Sequence, residues 1–175
     1  MITGCIHGRF QPFHNGHFEY MKEAFRRSDN LIIGLTQYEP EIFDPESPEH
    51  RMRAQDNPFS YWERSQIIMA AVADADIPLA KISIVPFPIH APEKIKYFVG
   101  ADCIMFTTIY ERWNIDKIRR LKRCGFEVSV LWRRRRKQYE GKLVRNAIRE
   151  HDASIRGLVP RGVYSKIAEV RPDLF

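Results

Sequence analysis

The stretch Gly8-Arg9-Phe10-Gln11-Pro12-Phe13-His14-Asn15-Gly16-His17 decides how this chain is organised. The short apolar run at residues 2–6 predicts a first strand directly before it. Apolar residues recur at helical spacing behind it: Phe18, Tyr20, Met21, Ala24 and Phe25. The stretch is therefore predicted to turn from a strand into a helix. Such a turn gathers free backbone N–H groups and the positive end of a helix dipole, which together favour an anion.

Five residues of this turn point to phosphate chemistry. Gly8 and Gly16 allow the backbone to approach a ligand closely, and Arg9 brings a fixed charge. His14 and His17 stand three residues apart, so on a helix they face the same space. The two histidines could also cap or pack the helix, and they lack the third ligand that a metal site needs. We expect these residues to bind phosphate groups.

The rest of the chain alternates between strand and helix patterns. Strands are predicted near residues 31–36, 82–85, 103–107 and 126–131, and helices near 17–28, 60–73, 92–98, 114–124, 141–151 and 161–170. Asn114 is the expected cap of the helix that follows it. The alternation predicts an α/β fold, a Rossmann-like open parallel sheet of about five strands with helices on both faces, plus C-terminal helices.

Length and loop pattern suggest how the chain is divided. Residues 1–175 are expected to form one domain, because a chain of this length can bury a sizeable core. Residues 37–57 lack periodicity and contain several prolines, so we expect an insertion loop there. Residues 139–175 are expected to form a C-terminal helical segment.

Charge and cysteine content narrow the partners and the compartment. Residues 112–149 hold 14 Lys or Arg against three acids, which suits a nucleotide, a nucleic acid or a solvated face. The basic run at 133–137 lacks interleaved aromatic residues, so nucleic acid is not the expected partner. The cysteines match no disulfide or zinc spacing, and no apolar run reaches membrane-spanning length. We therefore expect a cytoplasmic protein with no membrane segment.

The opening stretch resembles the nucleotidyltransferase superfamily with its His-x-Gly-His motif, and within it the archaeal-type nicotinamide mononucleotide (NMN) adenylyltransferases. Residues 57–64, Asn-Pro-Phe-Ser-x-x-Glu-Arg, extend the resemblance. It implies an enzyme that transfers a nucleoside monophosphate from a nucleoside triphosphate to a small phosphate-bearing acceptor and releases pyrophosphate. It also implies Mg²⁺ bound mainly through the substrate phosphates, and a homo-oligomer. The implied catalytic residues are His14, His17 and Arg9, and the implied nucleotide or phosphate ligands are Gly8, Arg9, Phe10, Gly16, Arg64, Lys142 and Arg145.

Two regions depart from the family pattern. Glu140 and Lys142 replace the serine and threonine of a C-terminal Ser-x-Thr-x-x-Arg signature, of which Arg145 is retained. The acceptor side differs from the family pattern at residues 88–90 and 107–109. The residues expected to contact the acceptor are Tyr97, Thr107 and Trp113. NMN adenylyltransferase, which makes NAD from ATP and NMN, is the leading specific activity. A cytidylyltransferase acting on a small phosphate or phosphonate, and a non-catalytic nucleotide- or nucleic-acid-binding protein, remain alternatives.

Overall fold

A parallel sheet of five strands forms the centre of the computed structural model, which describes residues 1–39 and 53–174. Numbered along the chain, the strands lie in the spatial order β3-β2-β1-β4-β5, and every neighbouring pair is parallel. The predicted fold class is confirmed. The strands are β1 (Thr3–Gly8), β2 (Asn30–Leu35), β3 (Ile82–Pro86), β4 (Ile104–Ile109) and β5 (Val128–Arg133).

Helices connect the strands and continue beyond the last one. The α-helices are α1 (Asn15–Arg26), α2 (Tyr61–Asp74), α3 (Arg112–Arg123), α4 (Gly141–Arg149), α5 (Ile155–Leu158) and α6 (Arg161–Val170). Short 3-10 segments lie at Ala54–Asp56, Leu79–Lys81, Pro92–Tyr97 and Pro172–Leu174. Within residues 1–39 and 53–174, no helix has the length and apolar character needed to cross a bilayer.

Each face of the sheet has its own apolar core. On one face, Ile6 of β1 and Leu31 of β2 share a cluster with residues of α1, α2, α4 and α6. On the other face, Cys5 of β1 and Met105 of β4 pack with Leu121 of α3. Neighbouring residues of β1 thus point to opposite faces, and both faces are covered by helices.

Two element boundaries correct the sequence prediction. Helix α1 begins at Asn15 rather than near residue 17, because His14 serves as its N-cap. Asn114 does not cap α3. The N-cap is Glu111, and the Asn114 side chain accepts hydrogen bonds from the Glu111 and Tyr110 backbone N–H groups at 3.0 and 3.1 Å. An amide at the third helical position can reach back to the cap as well as a glutamate can.

The strand order places the opening stretch at a ligand-binding edge. The chain runs from β1 outward to β2 and β3, and then returns to the other side of β1 with β4. The carboxyl ends of β1 and β4 therefore flank the point where strand order reverses, where ligands bind in open α/β sheets. Most of the expected insertion loop, residues 40–52, lies outside the described residues; its last part forms the 3-10 turn Ala54–Asp56.

Candidate active site

His14 is fixed by capping α1. Its backbone is extended, and its Nδ1 accepts hydrogen bonds from the Gly16 and His17 backbone N–H groups at 3.1 and 3.4 Å. A neutral imidazole has one donor and one acceptor nitrogen. Since Nδ1 accepts, the proton lies on Nε2. The helix terminus thus sets the tautomer, and Nε2–H is the His14 group that can donate to a ligand.

His17 lies directly against His14. The two rings are stacked with their centroids 3.6 Å apart and an interplanar angle of 19°. Gly16 makes this possible, because a Cβ on it would come within 3.1 Å of the His14 ring. Within the described part of the chain, the buried His17 Nδ1 has no hydrogen-bond partner. The structure therefore brings the two predicted catalytic histidines together.

Both histidines are held in the neutral form. Burial, followed by the charges of Lys137 and Arg145, lowers the pKa of His14 to about 3. Burial also lowers the pKa of His17 well below its usual value, with further contributions from His14, Arg9 and Lys137. At neutral pH the rings are N–H donors, and the positive charge of the site comes from the arginines and the lysine. Fixed donors of this kind stabilise charge that develops on an oxygen.

The two segments that carry the family resemblance are hydrogen-bonded to each other. The Arg9 Nη1 donates to Asn57 Oδ1 at 3.0 Å. The Gln11 side chain donates to the Phe59 carbonyl at 2.7 Å and accepts from the Phe59 N–H at 3.0 Å. These residues are 48 positions apart along the chain. The link fixes the direction of the opening stretch after it leaves β1.

Arg64 is buried among backbone carbonyls. Its side chain is 1% exposed, and its guanidinium donates to the carbonyls of Arg9, Thr36 and Gln37 at 2.8, 2.8 and 2.7 Å. Its Nε donates to the Ser60 carbonyl at 3.2 Å. Burial lowers the pKa of Arg64 to about 10. Arg64 thus binds the carbonyls where β1 and β2 end, and its phosphate contact stays a prediction.

The C-terminal segment brings one of its two predicted cations to the opening stretch. Arg145 of α4 is 8% exposed, and its Nη1 donates to the Gln11 carbonyl at 2.8 Å. Its Nη2 forms an ion pair with Asp56. Lys142 lies in the first turn of α4 and is exposed, and Glu140 is the N-cap residue. The phosphate contacts of Arg145 and Lys142 stay predictions.

Phe10 and Gly8 shape the floor beside the histidines. Phe10 is buried and adopts a left-handed backbone conformation, with φ of 50°. Its ring lies edge-on to His17 with centroids 4.8 Å apart. A Cβ at Gly8 would lie 3.2 Å from the Phe10 ring, so glycine allows this close packing. Strained backbone of this type is common where a loop must hold a ligand.

A cleft of about 310 Å³ opens where the segments after β4 and β5 meet. Its lining is mostly charged and consists of Tyr110, Glu111, Arg135, Arg136, Lys137 and Glu140. Lys137 forms an ion pair with Glu111. Because the Lys137 charge also acts on His14 and His17, the cleft adjoins the histidine pair. Its size and charge suit part of a nucleotide.

The three expected acceptor residues are not together. Thr107 is fully buried in β4, and its hydroxyl has no hydrogen-bond partner among the described residues. Trp113 lies in the first turn of α3 and donates to Glu111 Oε2 at 2.7 Å. Tyr97 ends the 3-10 segment after β3 and is 77% exposed. Only Thr107 therefore lies inside the fold near the strand ends.

The sequence prediction missed His7. This residue belongs to β1, is 5% exposed, and stacks on Phe87 with ring centroids 4.5 Å apart and an interplanar angle of 7°. Neither ring nitrogen has a hydrogen-bond partner in residues 1–39 and 53–174. A signal was present, since a polar residue follows four strand residues of which most are apolar. The predicted first strand ends at residue 6, so the strand prediction does not include His7.

The comparison with known families decides the relationship. A sequence model of the family described as Cytidylyltransferase-like matches residues 5–147. The chain belongs to this family. The matched range contains the last four residues of β1, the histidine pair, Arg64 and Arg145. This cytidylyltransferase-like protein is therefore a nucleotidyltransferase.

Its relatives include enzymes that are named for different substrates. The phosphonoformate cytidylyltransferase of Streptomyces viridochromogenes is 37% identical over 153 residues, which cover 85% of this chain and 81% of the relative. The nicotinamide-nucleotide adenylyltransferase of Saccharolobus solfataricus is 30% identical over 174 residues, which cover 99% of this chain and 94% of the relative. The resemblance to archaeal NMN adenylyltransferases is thereby confirmed.

Solved structures show the same fold. A crystal structure of a bifunctional NMN adenylyltransferase/ADP ribose pyrophosphatase from Francisella tularensis superposes with a TM-score of 0.67 at 19% sequence identity. The match covers 99% of this chain and 52% of that one. At this identity the likeness establishes the architecture only.

Proposed function

We propose that this nucleotidyltransferase transfers CMP from CTP to a small phosphonate or phosphate acceptor. The observation that carries the proposal is the acceptor side of the site. The aromatic residue expected to stack on a nicotinamide, Tyr97, is 77% exposed, whereas the strand ends hold two buried polar side chains, His7 and Thr107. The 37% identity to a phosphonoformate cytidylyltransferase supports the same choice.

The proposed reaction is an in-line substitution at phosphorus. An oxygen of the acceptor's phosphonate or phosphate attacks the α-phosphorus of CTP and forms a new P–O bond. The bond from the α-phosphorus to the bridging oxygen of the β-phosphate breaks, and pyrophosphate leaves with the electron pair. The protein supplies no covalent intermediate, so catalysis consists of positioning and charge stabilisation.

The histidine pair supplies the donors for this step. Its N–H groups lie at the α1 N-terminus, where the helix dipole favours an anion. His14 offers Nε2–H because its Nδ1 is used by the helix cap. Arg9 and Lys137 add positive charge beside the rings. These groups would hold the triphosphate and stabilise charge on the α-phosphate as the bridging bond breaks.

The donor set fits a magnesium ion carried by the nucleotide. Among residues 1–39 and 53–174, no group of three or more His, Cys, Asp or Glu side chains is placed to hold a metal. The histidine pair, Arg9 and Lys137 offer nitrogen donors, and Glu111 and Glu140 supply the carboxylates of the adjoining cleft. Mg²⁺ prefers oxygen ligands and binds mainly through substrate phosphates with one or two carboxylates. When bound there, Mg²⁺ would neutralise phosphate charge. Arg9, Lys137 and the two histidines would bind the remaining phosphate oxygens.

NMN adenylyltransferase is the second candidate. The observation in its favour is the 30% identity to the Saccharolobus solfataricus enzyme, which extends over 99% of the chain. The phosphate-handling residues serve either reaction equally, because the triphosphate is common to ATP and CTP. The two candidates therefore differ in base and acceptor only.

A substrate matrix tests the proposal. Purified protein with Mg²⁺ is incubated with each of the four nucleoside triphosphates and with phosphonoformate, methylphosphonate or NMN, while pyrophosphate release and product mass are followed. Turnover of CTP with a phosphonate is the expected result. Turnover of ATP with NMN alone would replace the proposal by the second candidate. Silence in every combination would favour a non-catalytic nucleotide-binding protein, and His17→Ala controls for contaminating activity.

A further inference from the structure

His7 and Thr107 lie on neighbouring strands and on the same face of the sheet. In the β1–β4 pair, Gly4 is opposite Ile104 and Cys5 is opposite Met105. Continued by two residues, this register sets His7 opposite Thr107. Side chains two residues apart on a strand share a face, so both lie on the face of Cys5 and Met105. That face is the one covered by α3.

Their polar atoms are buried without protein partners. His7 is 5% exposed and Thr107 is fully buried, yet both His7 nitrogens and the Thr107 hydroxyl have no hydrogen-bond partner among the described residues. Buried polar groups are nearly always paired, and an unpaired one costs free energy. The stacking on Phe87 accounts for a flat ring at this position, but it pairs neither of the His7 nitrogens. An apolar pair would fill the same space without this cost.

The positive charge of Lys117 also acts on His7. Lys117 of α3 is close enough for its charge to act on His7, and burial together with that charge holds the pKa of His7 well below its usual value. The ring is therefore neutral at neutral pH and keeps one N–H donor. The Lys117 ammonium also lies 5.5 Å from the centroid of the Trp113 ring. The Lys117 charge thus acts on His7, whose sheet face also holds the Thr107 hydroxyl.

The position of the pair links it to the reacting centre. His7 directly precedes Gly8, the first residue of the opening stretch, and Thr107 lies two residues before the end of β4. The carboxyl ends of these two strands flank the strand-order reversal where ligands bind. The histidine pair lies on the α1 side of this edge, and His7 lies on the α3 side. A small acceptor could therefore contact both.

We propose that His7 and Thr107, assisted by Lys117, bind a carboxylate group of the acceptor and so select acceptors that carry a carboxylate beside the attacking phosphonate or phosphate. A carboxylate accepts from an imidazole N–H, a hydroxyl and an ammonium group, which matches the three donors on this face. The inference rests on the proposed function for the attacking group. The carboxylate preference itself is a binding property and can be measured without turnover.

The test compares two probes that differ by one carboxylate. Phosphonoacetate and methylphosphonate are titrated calorimetrically into the full-length protein with Mg²⁺, in the presence and absence of α,β-methylene CTP. We expect phosphonoacetate to bind at least about tenfold more tightly, as for hydrogen bonds to a charged group. His7→Phe, which keeps the ring on Phe87, and Thr107→Val should each reduce this ratio towards one. Thr3→Val, on the same face at the far end of β1, should leave it unchanged.

Three results would overturn the inference. Equal affinity of the wild type for both probes, or no binding of either, would show that the pair does not take a carboxylate. An unchanged ratio in both variants would show that the pair holds only a buried water. Melting temperatures check that each variant folds. If His7→Phe does not fold, the test relies on Thr107→Val. Failure of the proposed function is seen separately, as absence of CMP transfer in the substrate matrix. If ATP and NMN are turned over instead, nicotinate and nicotinamide mononucleotide form the matched acceptor pair.

Discussion

On the phosphate side of the site, Arg64 and Arg145 donate to backbone carbonyls of the opening stretch. The Gln11 side chain donates to the Phe59 carbonyl. On the acceptor side, the nitrogens of His7 and the hydroxyl of Thr107 are buried without hydrogen-bond partners among the described residues. Both sets of side chains are nearly inaccessible to solvent. The polar groups of the first set are hydrogen-bonded within the protein, whereas those of the second set remain for a ligand to bind.

The difference separates two tasks of a transferase. A satisfied polar network is rigid, so it can hold donors where charge develops in the transition state. Unsatisfied polar groups lose free energy in the unbound protein but gain it back when a ligand pairs with them. Removing a side chain of the first set should therefore weaken the fold, and removing an unpaired polar group of the second set should strengthen it.

The largest effect is expected from His17→Ala, which removes a donor from the reacting centre. Turnover should fall by about 10²–10³-fold, as for loss of one oxyanion-hole donor. The melting temperature should change little, because α1 keeps its His14 cap. Steady-state kinetics and thermal unfolding give the two numbers. The exposed His151→Asn is the control, and a large loss of stability in His17→Ala would show that the ring is a structural element.

Arg64→Met tests the satisfied network. The substitution keeps an unbranched side chain but leaves the carbonyls of Arg9, Thr36 and Gln37 without their donor. We expect the free energy of unfolding to fall by about 3 kcal/mol, since each buried carbonyl left unpaired is costly. Chemical denaturation measures this loss. Arg149→Met, at an exposed position of α4, should change stability little, and equal stability of the two variants would argue against a network role.

Acid should reveal the neutral state of His14. Its pKa is about 3 in the folded protein and near 6.5 when unfolded, so the unfolded chain binds the extra proton first as the pH falls. The stability that this group contributes is complete above pH 6.5 and is lost towards pH 3. Between pH 7 and 5 the wild type should lose about 2 kcal/mol more than His14→Asn, which retains a capping side chain. Identical pH profiles in denaturant titrations would contradict this.

Thr107→Val should give the smallest effect, with the opposite sign from Arg64→Met. The methyl group replaces a buried hydroxyl that has no partner among the described residues, so the free energy of unfolding should rise by about 1 kcal/mol. Thr3→Val, at a half-buried position, is the matched control. A loss of stability in Thr107→Val, measured by chemical denaturation, would mean that a buried water already satisfies the hydroxyl.

The sequence was sufficient for the architecture and the reaction class because both depend on local patterns. Periodicity predicted alternating strands and helices, the strand-to-helix turn with His14 and His17 predicted phosphate binding, and the resemblance of that turn to nucleotidyltransferases implied nucleotidyl transfer. The helix predicted near residues 60–73 likewise matches α2, which begins at Tyr61 after its N-cap Ser60. Boundaries were less certain, as the displacement of the α3 cap from Asn114 to Glu111 illustrates.

The roles of Arg64, His7 and Asp56 could not be predicted in this way. Arg64 was read as a phosphate ligand from its motif, but its partners belong to β1, β2 and the segments that follow them. His7 has the pattern of an ordinary strand residue, and only the fold places it on the same sheet face as Thr107 of the neighbouring strand. Asp56 forms an ion pair with Arg145 only because the fold places α4 beside it.

The sequence by itself determined that the chain folds as an open α/β sheet and acts on a nucleoside triphosphate. Strand periodicity and the residues of one turn are local properties, so they can be recognised without knowing the remaining contacts. Only the tertiary structure decided which polar side chains are satisfied and which are not. That distinction depends on atoms far apart in the sequence, and it separates the residues that maintain the site from those that select its substrate.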